Sequence, residues 1–476
     1  MNVPTALEVQ MNAMIRRALP ALVALSAGGG HVRAQAPAAA SAMTLEQAVR
    51  YALAHHPAVA GALARIDGAR ASRDLAAAAR IPTLDAAAMV GGATGNVTAG
   101  SFFPMSGVPG SSGPVGTTSL GGAAWTTTAA LVSTVPLTGF VRANRLTSAR
   151  AAAEHAAESG ADAIRLDVAY TAAAAYLRAM AAAAAQRATE AGVRRARTLL
   201  TRTDALVAQQ LRPGADLSRA RAELADAERD EANAQRQRAI AEAQLAEALG
   251  SATPVAAMDT AVAAASPPLP ASSADHPLIA EAKDAEVAAI RDRDVAALGW
   301  WPRLDVVGAL WARGSGIAVN GVVAPSMHDG LNPAVPNWAL GLSVSWPLLG
   351  FPAISAESRR TDAAVAMANA GERAVENVVS SARRAADADA AGAAVVAQRA
   401  RVALDAARIA LDQAAARYDA GLSSVADVAD AQRLLARSEA ADAVAGIESL
   451  AAQLGVARAG GNLQALLALT KPGNAR

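Results

Sequence analysis

The sequence predicts a mainly α-helical chain with a smaller β portion, built as two copies of one unit in which a pair of strands leads into a very long helical hairpin. Three observations carry this. Hydrophobic residues fill 53% of the 476 positions, yet aromatics make up only 3% and 134 residues are alanine. Alanine buries too little area to fill the thick core of a large α/β protein. It does favour helix, and it lets helices approach closely. The second observation is a set of landmarks that recur at constant offsets, and the third is two segments of more than sixty residues without proline.

The chain opens on an export pattern. Arg16 and Arg17 precede the apolar stretch Ala18 to Ala27, and Val32-Arg33-Ala34 supplies a small-residue cleavage site, so residues 1–34 read as a signal peptide. Met11 and Met14 offer later starts, and an amphipathic N-terminal helix is the other reading of the same stretch. The apolar run is too short to span a bilayer, which takes ~20 residues. No later segment reads as a transmembrane helix, because Arg, Asp or Glu interrupts each apolar window.

The rest is duplicated. His56-Pro57 returns as His276-Pro277, and Pro82-Thr83-Leu84-Asp85 as Pro302-Arg303-Leu304-Asp305, both 220 residues on. Pro136-Leu137-Thr138-Gly139-Phe140 returns as Pro347-Leu348-Leu349-Gly350-Phe351 after 211 residues, and Asp216/Asp427 and Gly250/Gly461 keep that spacing. The change of offset falls where the loop Gly91 to Gly122 outgrows its counterpart, Arg313 to Pro336. A repeat unit of this length organises the whole fold. We divide the chain into a first repeat (35–253), a Pro/Ser-rich linker (254–274), a second repeat (275–461) and a C-terminal tail (462–476).

Within each repeat the order is helix, strand, strand, very long helix, turn, long helix. Thr44 and Gln47 form a capping box for the first helix. Pro82 and Pro302 end the preceding helices. Strands are expected near 82–91, 124–136, 302–312 and 337–347, and long helices over 143–206 and 355–418. At 1.5 Å per residue each of these helices is roughly 95 Å long. Leu166, Tyr170, Ala173, Leu177 and Met180, and likewise Leu404, Ala407, Leu411, Ala414 and Tyr418, alternate steps of three and four, the spacing of a helix-packing seam. Turns near 207–216 and 418–424 fold each long helix back on itself.

The strands say more about location. Trp338, Leu340, Leu342, Val344 and Trp346 alternate with Ala339, Gly341, Ser343 and Ser345, an apolar face with tryptophan at both ends. Tilted as in a barrel, the segment rises roughly 21 Å, near the ~25 Å apolar band and aromatic girdles of outer-membrane barrels. A half-buried strand of a soluble sandwich shares this alternation. Four strands cannot close a barrel in lipid, so a membrane reading requires several chains to pool their strands.

Little here suggests reaction chemistry. There are 43 basic and 42 acidic residues, so no nucleic-acid footprint stands out. Cysteine is absent, the six histidines are scattered, and no phosphate-binding glycine loop occurs. We therefore expect no catalytic residues, no metal and no cofactor.

Thr44-Leu45-Glu46-Gln47-Ala48 leading to His56-Pro57, the two Pro-Leu-(Thr/Leu)-Gly segments, and Arg417-Tyr418-Asp419-Ala420-Gly421 followed by Asp427-Val428-Ala429-Asp430-Ala431-Gln432 resemble the TolC-like outer membrane efflux protein family. The resemblance spans essentially the whole mature chain. It departs in lacking the lipidated N-terminal cysteine of many members and in the first-repeat tip Leu211-Arg212-Pro213-Gly214. It implies a homotrimer whose 12-stranded outer-membrane barrel continues as a periplasmic α-helical barrel. The function implied is a passive exit duct, in the outer membrane and extending into the periplasm, for an inner-membrane transporter and a periplasmic adaptor protein. A periplasmic coiled-coil protein with a small β domain is the alternative reading. By the same resemblance, Asp427 and Asp430 line an acidic periplasmic gate. The 211-residue offset puts Asp216 at the place of Asp427 but Arg219 at that of Asp430, so Arg219 is expected to pair with a neighbouring tip carboxylate and help hold the entrance closed, with Asp216 and Tyr418 as further gate contacts. Pro213, Gly214, Gly421, Leu422 and Ser423 form adaptor-docking tips, and Trp338 and Trp346 the lipid girdle. Plain helix turns account for the glycines equally well, and solvated helix faces for the charges.

Overall fold

The computed structural model describes residues 43–94, 123–252, 276–316 and 328–471. The segments expected as signal peptide and linker, and most of the two loops that carry the change of offset, lie outside these residues. Thr44 caps α1 (Leu45–His55) through the capping box with Gln47. Then follow α2 (Pro57–Ala78), β1 (Thr83–Thr94), β2 (Ala123–Pro136), α3 (Gly139–Ala208) and α4 (Gly214–Ala248). The second repeat holds α5 (Pro277–Ala296), β3 (Arg303–Ser315), the short α6 (His328–Leu331), β4 (Val335–Ser345), α7 (Phe351–Asp419) and α8 (Val425–Ala459). The segment expected as a tail contains α9 (Leu463–Thr470), capped by the Asn462 side chain and packed on α1, α3 and α8.

The long helices are longer than the proline-free windows suggested, because helix begins directly at the Pro-Leu-x-Gly turns. With 70 and 69 residues, α3 and α7 each run about 105 Å. Contrary to expectation, one 18-residue window of α3 is apolar enough to cross a membrane. Most of it is buried among other helices, with Ala172, Ala173 and Tyr176 fully enclosed, so it is packing surface rather than a lipid span. The seam residues Leu166, Ala173, Leu177, Met180, Leu404, Ala407 and Tyr418 are all buried.

The duplication has a concrete cause. The C-terminus of α4 meets the N-terminus of α2, and that of α8 meets α5, so two shorter helices together flank each long one. At both junctions a glycine in the left-handed region, Gly250 (φ +67°) or Gly461 (φ +76°), lies against the His-Pro pair that starts the upper helix. A Cβ on Gly461 would sit 2.8 Å from Pro277 Cδ and 2.9 Å from His276 Cα. Gly461→Ala is therefore expected to cost ~1–2 kcal/mol for the backbone alone, with the overlap adding to it. Gly455→Ala, inside α8 with nothing near its Cβ, should not destabilise. Thermal melting of the two variants checks this; equal melting temperatures would contradict it.

The strands form one antiparallel sheet in the order β1-β2-β3-β4. Register places Leu84, Gly308 and Leu340 on one face, and likewise Leu131, Leu310 and Trp338. Its large residues are exposed: Leu340 is 71% and Trp338 74% accessible. The opposite face carries Asp85, Thr128, Thr134, Asp305, Ser343 and Ser345. Among the described residues β1 and β4 each have one edge unpaired.

Candidate functional site at the hairpin tips and the sheet

Both hairpins turn with the same backbone device. The N–H of Leu211 donates to Leu206 O (2.9 Å) and that of Leu422 to Arg417 O (2.8 Å), the six-residue bond of a Schellman turn. The residue before each leucine takes positive φ. In the second repeat it is Gly421 (φ +72°), as glycine chemistry anticipates. In the first it is Gln210 (φ +60°), while Gly214 is the first residue of α4 and needs no such freedom. Leu211 and Leu422 project from the turns, 65% and 72% exposed.

The two tips are fastened to each other. Arg212 donates from Nη2 to Tyr418 O (2.9 Å) and from Nη1 to Ser423 O (3.4 Å), with its guanidinium 4.5 Å from the Tyr418 ring centroid. Tyr418 is buried with Leu199, Val425, Val428 and Ala429. Its hydroxyl has no hydrogen-bond partner among the described residues. Arg202 of α3 pairs with Asp419 at the end of α7, and further up α3 pairs with α8 through Arg195–Glu439 at 2.8 Å and Asp167–Arg458 at 2.6 Å. The sequence noted the unusual Arg212 without assigning it a role. Only the fold brings it to carbonyls more than 200 residues away.

Asp427 and Asp430 both lie exposed at the start of α8, one turn apart. Each already has a local partner. Asp427 completes a capping box, accepting from Ser424 N (2.9 Å) and Ser424 Oγ (3.0 Å). Those two hydrogen bonds, with smaller attractions from Arg417 and Arg219, hold its carboxyl below the usual range. Asp430 pairs with Arg433, which also reaches Glu223 of α4 at 2.8 Å. The capping box was legible as Ser-x-x-Asp and the second pair as an i,i+3 spacing. In the first repeat Pro213 stands where Ser424 does and offers neither N–H nor hydroxyl, so Asp216 has no such box. Arg219 forms no ion pair within 4 Å among the described residues; its influence on Asp427 is through space.

At the other end of the molecule Trp338 faces outward opposite Leu310. Trp346 lies just past β4, where its indole N–H donates to Trp300 O at 3.1 Å. Trp300 stacks edge-on with Phe351, ring centroids 5.0 Å apart, which adds aromatics the strand pattern alone did not reveal.

The profile of the family described as "Outer membrane efflux protein" matches residues 48–251 and 270–462. The chain belongs to this family. No curated protein is a significant match. Among solved structures, the outer-membrane channel OprN is similar at 22% identity and TM-score 0.69, over 88% of this chain and 90% of that one. VceC from Vibrio cholerae is similar at 19% identity and TM-score 0.69, over 88% and 96%. The MtrE channel of Neisseria gonorrhoeae, in its open state, is similar at 19% identity and TM-score 0.67, over 88% and 89%. At these identities the likeness is one of fold. As an outer membrane efflux protein the chain is a channel of the tripartite-system type, non-enzymatic, spanning the outer membrane and extending into the periplasm. Its mainly helical fold with four antiparallel strands in two halves is that of the trimeric TolC-like channels. The alternative of a periplasmic coiled-coil protein is set aside on that ground.

Proposed function

We propose that three copies of this efflux protein close one duct, with β4 of each copy pairing to β1 of the next and α7 packing against its neighbour's α2 and α4. The observation that carries this is the sheet: one exposed face carries the leucines and Trp338, the charged strand residues Asp85, Arg303, Asp305 and Arg313 all lie on the other, and both edges are open. An open edge in lipid costs several kcal/mol per unsatisfied backbone group, so a lone protomer has no stable membrane form. The exposed Met367, Val378, Val395, Val402 and Ile409 on α7 supply apolar surface for the same contact. Light scattering in mild detergent should give the mass of three chains. A monodisperse monomer would overturn the assembly.

The tips are read as the end that meets an adaptor protein, which delivers substrate from an inner-membrane transporter. Support comes from Leu211 and Leu422, exposed at the points of the hairpins farthest from the sheet, beside Pro213, Gly214 and Ser423. Gly421 is a poor place for a test, since a side chain there strains the positive-φ turn. Leu422→Arg leaves the backbone free. It is expected to abolish efflux-dependent resistance with trimer yield unchanged, and wild-type resistance in that variant would remove the tips from docking. The acidic pair Asp427 and Asp430 is read as the periplasmic constriction, with Arg212 across Tyr418 as the contact holding each protomer's tips together, and Asp216 and Arg219 at its margin.

A further inference from the structure

The two helix junctions are built alike but fastened differently. At each, the histidine that starts the upper helix caps it with Nδ1: His56 accepts from Ala58 N at 3.1 Å and His276 from Leu278 N at 3.2 Å. His276 alone continues across the junction, its Nε2 lying 3.2 Å from Arg458 O in the last turn of α8. An imidazole that accepts at Nδ1 and meets a carbonyl at Nε2 is the neutral tautomer with its proton on Nε2. The ring is 6% exposed. The neighbouring carbonyl, Ala459 O, is taken by Arg383 Nε of α7 at 3.0 Å.

We propose that His276 is a positioning residue, a proton-sensitive splice that caps α5 through Nδ1 and holds the Arg458 carbonyl of α8 through Nε2 while neutral, and that frays the start of α5 when Nδ1 gains a second proton. Protonation turns Nδ1 into a donor aimed at the Leu278 N–H, so the cap of α5 is lost and two donors face each other. The charged surroundings do not offset this. Arg458 of α8 and Arg383 of α7 stand beside the ring, and Arg458 is already engaged by Asp167 of α3 at 2.6 Å and stacked on Tyr170. The remaining titratable groups around the shared cavity of about 860 Å³ are Glu281 of α5, Asp389 of α7 and His56 at the other junction, and none forms a hydrogen bond or ion pair with His276. Burial, and after it the two arginines, pushes the His276 pKa below its ordinary value, against the opposing Arg458 carbonyl bond. The sign follows directly. The splice contributes fully above the unfolded pKa of about 6.5 and is lost as pH falls through the lower folded value. Because α8 carries Asp427 and Asp430 at its far end, acid loosens the α5 turn against which the upper end of the arm assigned to the gate is seated.

Hydrogen–deuterium exchange on the full-length assembly in detergent tests this, with exchange times scaled for the intrinsic effect of pH. In the wild type, the peptide covering 277–281, which loses its cap, should exchange about tenfold faster at pH 5 than at pH 7.5, while 458–463, still held by the Nε2 donor, should change less. His276→Asn keeps a cap acceptor and His276→Gln a donor for the Arg458 carbonyl, and neither titrates. Both should exchange at the same scaled rate at the two pH values. No acceleration in the wild type, or the same acceleration in both variants, overturns the proposal. Neither outcome bears on whether Asp427 and Asp430 line the gate.

Discussion

Leu340→Arg is expected to remove most of the assembled protein from the outer membrane. Leu340 sits at the middle of β4 on the apolar face, paired with Gly308, and is exposed in the protomer. An arginine on the lipid face at the bilayer midplane costs ~2–4 kcal/mol, falling towards zero near the interfaces. In a trimer the cost is incurred three times in one assembly. Ser343→Arg, on the polar face of the same strand, places its charge towards water and should assemble near wild-type level. The measurement is the fraction of each variant recovered from outer-membrane preparations as the detergent-resistant oligomer. Equal recovery of the two variants would mean that the leucine face does not meet lipid.

The second large effect is expected at the tips. In the proposed assembly, three copies of Asp427 and Asp430 would place six carboxylates at one constriction, a ring that favours cations. Single-channel recording of Asp427→Ala/Asp430→Ala should lose cation preference and block by trivalent cations added from the periplasmic side. Arg433 pairs with Asp430, and Arg417 and then Arg219 act on Asp427 through space, so ring charge is partly offset and removing one of these three arginines should act in the opposite direction to removing the aspartates. Arg212→Ala severs the bonds to Tyr418 O and Ser423 O and should raise open-channel conductance without altering selectivity. Selectivity and block that survive the double variant would place the constriction elsewhere.

Much of this molecule was legible in its sequence because its signals are local. Helix over α3 and α7 follows from alanine content and the lack of proline. The seams follow from steps of three and four, and the β4 face from a period of two. The Thr44–Gln47 box is set within four residues. The duplication was equally plain as offsets, though not its meaning. Gly250 and Gly461 looked like ordinary repeat landmarks until the fold set each against its His-Pro pair.

What stayed hidden depends on which distant groups become neighbours. Arg212 and Tyr418 are 206 positions apart, and only the packing of α3 on α8 makes them a contact. Gln210 carries at the first tip the left-handed turn that Gly421 carries at the second, since a Schellman turn fixes the backbone and accepts a strained residue where its hydrogen bonds outweigh the cost. His276 reads in sequence as a repeat landmark, and its partner across the junction, Arg458 O, is a main-chain group that any residue would supply. Sequence alone therefore determined the long helices, the strands, their repeat and the family resemblance, because propensity and periodicity act over a few residues. Tertiary structure alone decided the contacts between tips and between stacked helices, because those interactions join backbone and side-chain groups whose nearness only the closed fold creates.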